Sequence, residues 1–342
     1  MHTQISKTLS YPIVLNQMRQ KPAILRRLAL FGAMLCAVTL LLCPPLVHAQ
    51  LSPVDETTAA MRDRIHSAQQ SHASQEELGR LWLALGNQSE DRFIYTEAED
   101  AFARALRLLA GKDQARGAYA DALAGMGRLY ISTGRYSDSE AFLYRSTQIY
   151  ESLGDRDNAA TAHASLALAM MFQRKYRETE AESLLARTEF ASLSNPNPAE
   201  LTAAAVTHAY ALYFLGHSTS ASTEIDQAIA TARARLQPNS PDLMAALLAR
   251  AFIHSRIGDD WEPSITEALR IARTQTVLPL PARHRAELIV MQQYQQLLEG
   301  AHRKSEAKAM EREIADLQEK HPAGCTNCTV SAAAFSPAAL LH

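Results

Sequence analysis

The sequence predicts an all-α fold, a superhelical solenoid of about six antiparallel helix hairpins. Three observations carry that prediction. Ala-rich runs such as AATAHASLALAMM at 159–171 favour helix, because Ala has the best helix propensity. The strand signature, β-branched residues alternating between Gly and Asn turns, is missing from the sequence. The chain also repeats itself at a period near 41 residues. Its balance of 47% hydrophobic and 20% charged residues is that of a globular protein of one or two domains.

Residues 1–49 stand apart from the rest. They hold Lys7, Arg19, Lys21, Arg26 and Arg27 and no acidic residue. An apolar run follows from Leu28 to Leu42, then Pro44 and Pro45, then VHA at 47–49. This order is that of a secretory signal peptide, with cleavage expected near Ala49. The apolar core is 15 residues long, short of the roughly 18–20 that span a bilayer. A retained membrane anchor is the alternative. The leader predicts export to the periplasm or the extracellular space, with no stable membrane span after cleavage. Loss of the leader leaves 29 Lys and Arg against 36 Asp and Glu, a net charge of about −7. No basic stripe remains to pair with phosphates, so nucleic acid is not an expected partner.

Residues 50–76 are polar with a weak apolar spacing at Met61 and Ile65, which predicts a capping segment. The repeats follow over 77–320. Small residues recur at Ala98, Ser139, Thr179, Ala221, Ser264 and Ser305. Tyr95, Tyr136 and Tyr176 each stand three residues before one of these. Gly86, Gly127, Ala167 and Ala209 stand twelve before, and Ala105, Ser146, Ala186 and Ala228 seven after. Gly134, Gly216 and Gly300 lie five before, and Gly258 six before. Helix packing explains the pattern. Small residues let two helices of a hairpin approach closely, a glycine ends the first helix, and the tyrosine fills the space beside the next hairpin. The last helix, near 303–320, keeps Met310, Ile314 and Leu317 on one face, which suits a closing element. Residues 321–342 read as a disordered tail.

The pattern resembles the tetratricopeptide repeat family. Trp82, Leu85, Gly86, Tyr95, Ala98, Phe102 and Ala105 fall where that family places W, L, G, Y, A, F and A. Gly127, Tyr130, Gly134 and Tyr136 match in the second unit, with Ser139 and Ser146 in place of Ala. The family period is about 34, and the excess here is about two helical turns, which returns nearly to the same face. This longer form is similar to the repeats of kinesin light chain. The resemblance implies a concave groove lined by first helices. Carried over to this chain, its positions are Arg80, Leu83, Asn87 and Glu90, then Asp121, Ala124, Arg128 and Ile131. Thr161, Ala164, Leu168 and Met171 come next, then Ala203, Val206, Tyr210 and Tyr213, with Phe214 beside them. Arg128, Leu168, Met171, Tyr210, Tyr213 and Phe214 are therefore the expected surface for a peptide or protein partner. Packing between hairpins is the alternative role for the same side chains. The asparagine-and-lysine set that clamps a C-terminal carboxylate in some relatives is missing; Asn87 stands alone.

No HExxH, phosphate-cradling glycine loop or nucleophile elbow occurs in the sequence, so neither enzymatic activity nor a cofactor is expected. His163 and His208 fall on first helices and could face the groove. His302 and Glu306 make an i,i+4 pair whose expected role is a solvated surface contact rather than a metal site. Cys325 and Cys328 form a CxxC motif. A local disulfide is the expectation in an oxidising compartment, with a link to a partner or free thiols as alternatives. The leading functional expectation is an exported, non-enzymatic interaction scaffold. A peptide-sensing regulatory receptor is the second, and an envelope enzyme the third.

Overall fold

The computed structural model describes residues 58–278 and 280–321. The signal segment and the CxxC pair lie outside them. The described residues form thirteen α-helices: α1 (Thr58–Gln70), α2 (Gln75–Asp91), α3 (Tyr95–Leu109), α4 (Arg116–Ser132), α5 (Tyr136–Leu153), α6 (Arg156–Phe172), α7 (Tyr176–Ser192), α8 (Pro198–Phe214), α9 (Ser218–Arg235), α10 (Pro241–Ile257), α11 (Glu262–Thr274), α12 (Leu280–Gly300) and α13 (Lys304–Lys320). A 3₁₀ turn at Asp113–Ala115 precedes α4. Helix α1 buries Met61 and Ile65 against Leu85 and Ala101. The other twelve helices pair as six hairpins, α2–α3 to α12–α13.

Each joint follows from backbone chemistry. The first helix of each hairpin ends in a residue near φ +60° to +90°: Phe93, Gly134, Arg174, Gly216, Gly258 and His302. The next amide then bonds back five residues, as in Arg135 N–H to Tyr130 O at 2.8 Å, Lys175 to Met170 at 3.0 Å and Arg303 to Leu298 at 2.9 Å. This Schellman closure satisfies carbonyls that a helix end would leave unpaired. In hairpins one to four and six the second helix starts two residues after the left-handed residue. Hairpin five inserts two more residues before Glu262. The rule corrects the last repeat. Its left-handed residue is His302, not Gly300, and its buried small residue is Ala307, 4% exposed, while Ser305 lies in solvent.

Close approach explains the small residues. A Cβ on Gly127 would lie 2.5 Å from Leu143 Cγ, well inside contact distance. The hydroxyl of buried Ser139 donates to Gly127 O at 2.8 Å, so it closes α4 onto α5 without an unpaired polar group. Phe102, fully buried, sits where Cβ atoms on both Gly86 and Gly125 would intrude, at 2.6 and 2.5 Å. One aromatic ring thus joins its own hairpin to the next.

Curvature follows from which helices touch. The first helices α6, α8 and α10 contact one another directly across hairpins, more closely than successive second helices do. A stack packed tighter on one side bends toward that side, so the first helices line the concave face. The central α8 and α10 are buried over most of their length, from Ala204 to Leu212 and from Leu243 to Ala249.

Candidate functional site

The N-terminal part of the expected groove lies beside a cluster of polar groups. Arg128 on α4 extends Nη2 to Glu90 Oε2 at 3.3 Å. Burial pushes the Glu90 carboxyl up to about 7, against the opposing charge of Arg128. Tyr150 donates its hydroxyl to Asp121 Oδ1 at 2.8 Å, and burial next to that carboxylate holds the phenol far above its ordinary value. The Thr161 hydroxyl donates to the Glu200 carboxylate. Burial raises Glu200 as well, while the Thr161 bond and the charge of Arg128 act the other way. Arg128 therefore stands among carboxylates whose ionisation it favours.

An aromatic edge runs along the hairpin turns. Tyr136, which opens α5, stacks on Phe172, which closes α6, at 4.7 Å and 17°. Tyr176, which opens α7, stacks on Phe214, which closes α8, at 4.7 Å and 11°. The repeated tyrosine thus packs on the last residue of the next first helix. Tyr213 meets Phe214 edge-on at 5.2 Å and Phe252 at 5.3 Å. All these rings except Phe252 keep part of their surface in solvent. Such partly exposed aromatic surface, with polar phenol tips, suits recognition.

The residues expected to form the groove divide into two sets. Leu168, Met171 and Tyr210 are 5%, 2% and 2% exposed and belong to the central core. They support the concave face from beneath, because α8 packs closely on both α6 and α10. Arg128, Tyr213 and Phe214 are half-buried and reach the surface. The histidines look elsewhere. His163 meets Glu182 and Glu151 on second helices, and His208 meets Arg187 and Glu224, also on second helices. Neither faces the groove. Glu306 is bound by Arg303 at 2.5 Å and His302 occupies the turn, so their pairing has no metal-site character. Periodicity reveals which residues lie on a first helix. It does not report how tightly neighbouring first helices close, and that closure buries the middle of the expected surface.

The geometry is a TPR-like helical solenoid. No protein-family model matches the sequence, and no curated protein matches it significantly. Solved structures do. RapI in its apo form is similar with a TM-score of 0.58 at 12% identity, over 77% of this chain and 90% of that one. A Rap protein complexed with Competence and Sporulation Factor gives 0.56 at 15% identity, over 85% and 79%. BtubC (BKLC) from P. vanneervenii gives 0.53 at 18% identity, over 65% and 92%. At these identities the likeness is one of fold. Among the described residues no helix is long and apolar enough to cross a membrane.

Proposed function

We propose that this protein is a non-enzymatic binding scaffold that holds a peptide or protein segment against its concave face. The observation that carries the reading is the partly exposed aromatic edge, Tyr136–Phe172 and Tyr176–Phe214 with Tyr213 beside it. Arg128 and Asp121, both half-buried at expected groove positions, would supply polar groups for a segment's backbone or charged side chains. The leader read from residues 1–49 would deliver the scaffold to the periplasm or beyond, where Cys325 and Cys328 could pair. A second reading, a peptide-sensing regulator, draws on the likeness to a Rap protein complexed with Competence and Sporulation Factor.

Two experiments test these readings. Pull-downs from envelope extract compare wild type with Tyr213→Ala, a substitution at a half-buried ring that is not itself one of the Tyr176–Phe214 stacked pair. A partner anchored here should be recovered at least about tenfold less by the variant, the usual scale for an aromatic anchor. Equal recovery of every partner contradicts the groove reading. Fractionation separates the two classes: a processed chain in the envelope supports the exported scaffold, and a full-length chain in the cytosol supports the regulator.

A further inference from the structure

On the side of α6 turned away from the groove, His163 enters the notch between α5 and α7. The residue is 4% exposed. Its Nδ1 stands 2.7 Å from Glu182 Oε2 on α7. Its Nε2 stands 3.5 Å from Glu151 Oε1 on α5 and 4.0 Å from Glu189 Oε2 on α7. Nε2 and Glu189 Oε2 are both buried, and neither has a hydrogen-bond partner. Three carboxylates from two hairpins therefore converge on one imidazole. Burial raises the pKa of Glu189, while the charges of His163 and of Arg156, which lies on the first turn of α6 and bonds Ser192 Oγ at 2.7 Å, lower it.

A neutral imidazole has one N–H to give. At 2.7 Å, Glu182 takes it at Nδ1. With the carboxylates ionised, only a second proton, on Nε2, can join the ring to Glu151 and to the unpartnered Glu189 oxygen. We propose that His163 is a proton-operated tie between hairpins two and three, closed in the imidazolium form and released at Nε2 as pH rises. A shift of about 0.5 Å in Glu151 and about 1 Å in Glu189 brings Nε2–H into bonding range of both. The surroundings favour the charged ring: burial disfavours it, but the Glu182 bond and the charges of Glu182, Glu189 and Glu151 outweigh burial and raise its pKa. Among the described residues no group of three or more His, Cys, Asp or Glu side chains is placed to hold a metal ion. A folded-state pKa above the unfolded value gives stability that is complete below about 6.5 and lost as pH rises through the folded value.

The test uses the full chain. NMR titration follows the His163 ring in wild type and in Glu189→Gln, and thermal unfolding compares wild type with His163→Gln at pH 5.5 and 8.5. The tie predicts a His163 midpoint above 6.5 that falls in Glu189→Gln. It also predicts a Tm gap to His163→Gln that narrows by several degrees at pH 8.5. A midpoint at or below 6.5, or an equal gap at both pH values, overturns the proposal. So does excess Zn²⁺ that raises the Tm of wild type but not of His163→Gln, because the ring would then serve a metal. Should His163→Gln fail to fold, the Glu189→Gln midpoint decides alone.

Discussion

Two junctions in this stack each bury one histidine of a first helix against second helices, and their chemistry points in opposite directions. At His163 the facing carboxylates raise the histidine's pKa. At His254, between hairpins four and five, burial and Arg250 lower it, although Asp226 and Asp259 stand 3.6 and 3.9 Å away. The difference lies in who already holds the carboxylate. Arg250 Nε binds Asp226 Oδ1 at 2.6 Å, so His254 faces a neutralised pair, and its Nε2 meets Ser222 at 3.2 Å instead. Glu182 is hydrogen-bonded directly to His163. In these two junctions the facing carboxylates overcome burial where one is bonded to the ring and do not where Arg250 holds it.

The largest effect comes from the framework that both junctions share. Gly127→Val drives a side chain into Leu143 and should cost about 3 kcal/mol, at the upper end for overpacking, equally at every pH. Urea unfolding at pH 5.5 and 8.5 checks this, and a pH-dependent cost would mean that the joint and the histidine tie are coupled. Next is His163→Gln, expected to cost about 1.5–3 kcal/mol at pH 5.5, the range for a hydrogen bond to a charged group, and less at pH 8.5. His254→Gln should behave inversely. A depressed folded pKa gives stability present above about 6.5 and lost as pH falls, so the cost of this substitution shrinks or vanishes at pH 5.5. Arg250→Met frees Asp226 and should raise the His254 titration midpoint, read by NMR, bringing the second junction toward the first.

Two smaller substitutions serve as pH-independent controls. Tyr210→Phe removes a buried hydroxyl that has no hydrogen-bond partner and should be neutral or stabilising by up to about 1 kcal/mol. Arg174→Gly relieves an exposed non-glycine residue at φ 61° and should add about 0.5–1 kcal/mol. Loss of stability in either, read as a lower Tm, would break the local account of that position.

Much of the architecture was legible in the sequence, because its requirements are local. Gly127, Tyr136 and Ser139 recur in register because a close crossing admits only small residues and the gap beside it takes a ring, and the structure shows those contacts. The last repeat departs from the register that Ser305 implies, because Gly300 signals a turn that the chain makes two residues later, at a histidine. Left-handed turns at Phe93, Arg174 and His302 carry no glycine to mark them. The groove was legible only in part. Position along a first helix makes Arg128 and Tyr213 expected groove residues, and both are half-buried. The burial of Leu168, Met171 and Tyr210 depends on how α6, α8 and α10 close on one another, which no single repeat encodes. The facing of His163 and His208 is likewise set by partners on two other helices.

The central claim is that partners bind the concave first-helix face. A photo-crosslinking residue at position 213 on that face, compared with one at Leu184, 49% exposed on second helix α7, tests it directly in intact cells. The account predicts a crosslinked partner from position 213 and none from position 184. The same partner captured from 184 alone would contradict it.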